Sequence, residues 1–135
     1  MSVTSFYPVL MTGDVAASAT FYRDVLGLET TYDGGWYVSL RLGAYELALL
    51  DHRHETIPAG FGAPAQGVIL NLEVEDARAL HDRLIDKHDL TVVLALRDED
   101  FGQRHFIIEA PDGLLLDVIQ PITPTGEYAD AYISA

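Results

Sequence analysis

Apolar and polar positions along the chain change period in a fixed order. Phe6–Thr12 (FYPVLMT) predicts a first strand, with Pro8 at an edge or where no N–H is needed. Gly13-Asp14 ends it, and Asp14 has the side chain of an N-cap. Val15, Ala19, Tyr22 and Leu26 recur at helical spacing, and Gly27 follows as a C-terminal stop. Leu28–Tyr32, Trp36–Leu42 and Tyr45–Leu50 then read as three strands, separated by Asp33-Gly34-Gly35 and Gly43-Ala44. The order is β-α-β-β-β.

Asp51–Gln66 (DHRHETIPAGFGAPAQ) is 16 residues rich in Gly, Pro and Ala, with no period. A connection of that length without structure of its own is usually a functional loop or a linker. The order then repeats. Val68–Val74 is a strand and Asp76 an N-cap. Ala77, Leu80 and Leu84 mark a helix to about His88, and Leu90–Leu96 a strand. Arg97–Phe101 reads as a charged loop. Gln103–Ala110 and Leu114–Ile119 are strands joined by the turn residues Pro111-Asp112-Gly113. Pro121–Ala135 is a tail, in which Tyr128 and Tyr132 could dock on the body or on a second subunit.

The halves align at a shift of 62, with Leu10 on Leu72, Asp14 on Asp76, Tyr22 on Leu84 and Leu28 on Leu90. The expected fold is α+β, two βαβββ modules within one domain spanning residues 1–135. Module one covers about 6–50, the linker 51–66, module two 67–121 and the tail 122–135.

Composition narrows the partners. The net charge is −13, from 8 Lys+Arg against 21 Asp+Glu. That argues against nucleic acid, whose binding needs basic residues to displace phosphate counterions, and against anionic membrane surfaces. It serves solubility, or draws a cationic small molecule toward a cleft. With Cys 0 there are no disulfides, thiolate ligands or cysteine nucleophiles. No signal segment or membrane span is visible, and a cytoplasmic protein is expected.

Asp117 is the one acid inside the apolar run Leu114–Ile119. An unpaired buried charge is costly, so Asp117 faces a solvated cavity or has a partner. It and Glu46 could hold a cationic group or move protons, against the alternative of ion pairs to Arg41, Arg97 or Arg104. Trp36 and Tyr37 point to opposite faces of a strand, so one of them could line a cavity. Phe101 lies between the charged loop and Gly102, at a cavity mouth or simply at a strand start. His105 shares a strand face with Gln103 and Ile107 and is the one histidine kept as a hydrogen-bonding candidate. His52 and His54 have a metal-pair spacing, but in a Gly/Pro-rich loop beside Arg53 they read as solvated. His81 and His88 read as surface residues.

The paired βαβββ order resembles the vicinal-oxygen-chelate superfamily, which includes glyoxalase I, extradiol dioxygenases and bleomycin-resistance proteins. The pattern Asp14, Ser18, Phe21, Tyr22, Leu26, Gly27 and the Pro-Asp-Gly turn carry the resemblance over about residues 6 to 121. It implies modules curling into a half-barrel around a shared cavity, commonly in a homodimer. It also implies a divalent metal held by the first and last strands of each module. At those positions this chain has Tyr7, Ile69, Asp117 and, depending on register, Glu46, Leu47 or Ala48. Both imidazoles are gone, whereas zinc, iron and nickel sites lean on nitrogen or sulfur. The metal-free, bleomycin-resistance-like branch is the nearest match, with Phe101 where an aromatic residue stacks on the ligand.

The expected function is therefore sequestration of an aromatic or cationic antibiotic-like molecule, with no cofactor, no metal and no catalytic residue. The expected ligand-binding set is Tyr7, Trp36, Glu46, Phe101, His105 and Asp117. The alternative is a metal-dependent lyase, isomerase or dioxygenase with reassigned ligands.

Overall fold

A computed structural model describes residues 1–133; the last residues of the expected tail, Ser134 and Ala135, lie outside it. The chain divides into two compact units, Met1–Gly67 and Val68–Ala135. Each is a βαβββ module, as the repeat predicts, and the fold is α+β.

In the first unit β1 (Val9–Thr12) leads into helix α1 (Val15–Leu26). The Asp14 side chain accepts from the Ala17 N–H at 3.0 Å, satisfying one of the helix's unpaired N-terminal donors. Gly27 closes the helix with a φ of 74°, a left-handed conformation that glycine adopts without penalty. Strands β2 (Glu29–Asp33), β3 (Tyr37–Leu42) and β4 (Tyr45–Asp51) follow, and the sheet order is β1-β4-β3-β2 with β1 parallel to β4. Leu10, Val38, Leu40, Leu47 and Leu49 share one sheet face and are buried, as are Val15, Ala19 and Tyr22 of α1. Thr12 and Ser18 lock strand to helix by a buried hydroxyl pair at 2.9 Å. The other face carries no helix of this unit.

The second unit repeats this with β5 (Ile69–Glu73), α2 (Ala77–Lys87), β6 (Val92–Glu99), β7 (Gln103–Glu109) and β8 (Leu115–Pro121), in the order β5-β8-β7-β6. Asp76 caps α2 as Asp14 caps α1, accepting from Ala79 at 3.0 Å. Phe106, Ile108, Leu116 and Val118 fill the helix-side core with Ala77 and Leu84. The shift of 62 holds at the helix starts, Val15 against Ala77, and has grown to 70 at the final strands, Tyr45 against Leu115. The extra residues lie in longer second-unit strands and turns.

The structure alters the sequence reading most at four places. β1 begins at Val9, not Phe6, because Pro8 offers only its carbonyl, which Ala48 N–H uses at 3.1 Å. Arg97–Glu99, read as loop, belongs to β6, where its charges pair across the hairpin: Asp98 takes two bonds from Arg104, at 2.8 and 3.0 Å. Asp51–Gln66 is tied down by turns, with His52 N–H bonded to Thr12 O at 3.2 Å and Ala65 N–H to Met11 O at 2.9 Å. His81, read as surface, sets its ring edge-on to buried Phe106 at 4.9 Å.

Candidate functional site

On the helix-free face of the second unit, strand pairing sets Ile107 beside Asp117 and His105 beside Ile119 and Arg97. His105 and Asp117 are thus diagonal neighbours on one face. Both are buried, at 4% and 8% exposure. His105 Nδ1 lies 2.8 Å from Asp117 Oδ1, and its Nε2 lies 2.8 Å from Glu99 Oε2. Arg97 Nε donates to the same Glu99 oxygen at 2.9 Å. A row of alternating charge, Asp117–His105–Glu99–Arg97, therefore runs from a buried strand to the strand edge.

Both ring nitrogens of His105 meet carboxylate oxygens, which accept only. Both therefore carry protons, and the ring is an imidazolium. Burial alone lowers the His105 pKa, but the hydrogen bonds it donates to Glu99 and Asp117 outweigh it and the net shift is upward. Glu99 is held below the usual carboxylate range, first by its bond to His105 and then by Arg97. Asp117 has a partner, and it is none of the three arginines weighed from the sequence. Arg41 pairs with Glu29, Arg97 with Glu99 and Arg104 with Asp98.

Phe101 sits in the β6–β7 turn, 39% exposed, edge-on to His105 at 6.3 Å and to Tyr128 at 6.0 Å. The tail docks here on its own unit, with Tyr132 donating to the Phe101 carbonyl at 3.0 Å.

The first unit places Tyr7, Tyr37, Ser39 and Glu46 on its helix-free side. Tyr37, Ser39 and Glu46 follow from the register of β3 and β4. Tyr7, just before β1, lies close enough to Tyr37 to perturb it. Of the three residues considered on the last strand, Glu46 and Ala48 take this face and Leu47 takes the core. Ser5 donates to Glu46 Oε2. Trp36 lies elsewhere: its ring stacks flat on His54 at 3.6 Å and 5°. His54 itself lines a loop cavity of about 410 Å³ with His52, Arg53, Ile57 and Pro58.

The six residues picked from the sequence thus fall into three places. His105, Asp117 and Phe101 are together in the second unit. Tyr7 and Glu46 are together in the first, and Trp36 is in the β2–β3 turn, stacked on His54 of the linker loop. The sequence reading missed Glu99 and gave Tyr37 no settled place. Glu99 was legible in the alternation Arg97-Asp98-Glu99 opposite Gln103-Arg104-His105, which is what a charged hairpin looks like when written out.

The metal implied by the resemblance does not fit these side chains. The positions hold a phenol beside Tyr37, an aliphatic Ile69, a carboxylate bonded to His105 and a carboxylate bonded to Ser5. None offers nitrogen or sulfur. Among the described residues, no three or more His, Asp or Glu side chains are grouped to hold an ion. No helix among them is long and apolar enough to cross a membrane.

Solved structures share the fold. A glyoxalase/bleomycin resistance protein/dioxygenase from Nocardioides superposes with a TM-score of 0.75 at 18% identity, covering 94% of this chain and 89% of that one. Lactoylglutathione lyase from Agrobacterium tumefaciens gives 0.67 at 23% identity, covering 89% and 96%. TioX from Micromonospora sp. ML1 gives 0.75 at 14% identity, covering 89% and 100%. At these identities the likeness is one of fold. No curated protein gives a significant match. The sequence model of one family covers residues 5–118, most of the chain. The protein therefore belongs to the Glyoxalase/Bleomycin resistance protein/Dioxygenase superfamily.

Proposed function

We propose that the protein binds a small molecule without a metal, sequestering a planar aromatic or cationic antibiotic-like compound as the bleomycin-resistance branch of its family does. The observation that carries this reading is the fate of the ligand positions. Tyr7 and Ile69 stand where the metal-dependent members have imidazoles, and the remaining carboxylate, Asp117, is bonded to an imidazolium of its own sheet. Recognition would fall to the helix-free faces, with Tyr7 and Glu46 on one unit and Phe101, beside His105 and Asp117, on the other. Trp36 would contribute from the β2–β3 turn. Stacking on an exposed ring such as Phe101 adds about 0.5–1.5 kcal/mol beyond area burial. The net charge of −13 attracts cations to the surface. In this reading the protein is a cytoplasmic homodimer.

Metal analysis of the purified protein, followed by calorimetric titration with metal-free bleomycin and with the planar cation proflavine, tests it. Saturable binding without stoichiometric metal is the expected result, weaker at about 300 mM salt than at about 20 mM. Stoichiometric zinc, nickel, manganese or iron with a chelator-sensitive activity would replace it with the lyase, isomerase or dioxygenase reading.

A further inference from the structure

We infer that the helix-free face of the first unit carries a subsite for an organic ammonium group, formed by the carboxylate of Glu46 and the rings of Tyr7 and Tyr37. The inference deepens the proposed function and rests on it, since it names the part of a ligand that this face would take.

Glu46 is an acid without a cationic partner. Strand pairing sets it directly opposite Arg41, the obvious counter-ion. Arg41 also stands opposite Glu29 on its other side and pairs with that acid instead, at 3.3 Å. The Glu46 carboxylate receives only the neutral Ser5 hydroxyl, on Oε2. Among the described residues, no Lys, Arg or His lies within ion-pair distance of it.

Beside this charge stand aromatic rings. Tyr37 is half-buried, and both Tyr7 and the Glu46 charge are near enough to act on it. The face of a tyrosine ring is electron-rich and attracts a cation placed over it. Tyr32 adds a third ring at the rim, edge-on to Tyr37 at 6.4 Å and 56% exposed. Tyr7 is 41% exposed, so the site is open to a solute.

The chemistry selects the cation. A transition metal lacks nitrogen or sulfur here, and calcium or magnesium would need several more oxygens. A quaternary or tertiary ammonium is a diffuse charge that sheds water readily. Ring faces and one carboxylate satisfy it.

The test uses the full chain and choline, with 3,3-dimethylbutanol as the uncharged isostere. Trp36 is the only tryptophan, and its ring lies 5.9 Å from that of Tyr37, so its fluorescence reports on the site. Choline should give a saturable change that neither the alcohol nor sodium chloride at equal ionic strength reproduces. Glu46→Gln and Tyr7→Leu, both at exposed positions, should each weaken it by about two- to fivefold. An equal response to the alcohol, no saturation, or unchanged affinity in Glu46→Gln would overturn the subsite. Proflavine separates the two readings. If the natural protein binds proflavine and Glu46→Gln binds it equally well, the subsite is wrong and sequestration stands. If choline saturates the site while proflavine and bleomycin do not bind, the subsite stands and drug sequestration fails.

Discussion

Replacing His105 by leucine probes the charged row most directly. The substitution keeps an apolar side chain of similar volume between β6 and β8. It removes the imidazolium that bonds Asp117 and Glu99, each at 2.8 Å. Glu99 loses little, because Arg97 still reaches it at 2.9 Å and its side chain is 18% exposed. Asp117 loses its partner while remaining buried, with its side chain 11% exposed. Removing one member of a buried pair costs about 3–5 kcal/mol, because the other charge is left uncompensated. For a chain of this length that lowers Tm by about 10–15 °C.

The double variant His105→Leu/Asp117→Leu removes both buried charges. It should recover most of the loss, since apolar replacement of a whole buried pair is often neutral. Urea titration followed by far-UV circular dichroism measures both; Trp36 fluorescence reports the first unit alone. A single variant within about 1 kcal/mol of the parent would refute the reasoning. So would a double variant no better than the single one.

Protonation gives a second test. The His105 pKa is raised above 6.5, so its stabilisation is complete below that value and is lost as pH rises through the folded pKa. Glu99 is lowered from 4.5, so its contribution is complete above that value and is lost as pH falls through its folded pKa. Stability from the row should therefore peak between the two, and NMR should find imidazolium signals for His105 persisting above pH 6.5. An ordinary titration at that value would contradict the geometry. In the linker loop, a Cβ at Gly62 would collide with the His52 carbonyl oxygen, so Gly62→Ala should displace the loop and change Trp36 fluorescence by breaking its stack on His54. Unchanged emission would show the loop can yield without moving the stack. Asp14→Ala and Asp76→Ala each remove one capping bond and should each cost about 1 kcal/mol in urea titration. A cost in one and none in the other would show that the two helix starts are not equivalent.

The amino-acid order alone determined the repeating βαβββ plan, because it is written in local physics. Asp14 and Asp76 cap helices, Gly27 stops one, Asp33-Gly34-Gly35 turns a hairpin, and alternating apolar residues assign sheet faces. It also singled out Asp117, since a titratable group within an apolar run needs a partner, and His105, from the strand face it shares with Gln103 and Ile107. Only tertiary structure decided who the partners are. Strand register is a long-range property: it set His105 diagonal to Asp117, carried Glu99 into β6 rather than a loop, and chose Glu46 and Ala48 over Leu47 for the helix-free face. Register also set Arg41 between two facing acids, Glu29 and Glu46, and its side chain took Glu29, which leaves Glu46 without a cation. Trp36 went to His54 because the linker folds back in tight turns, and glycine and proline content alone does not say where a loop will lie.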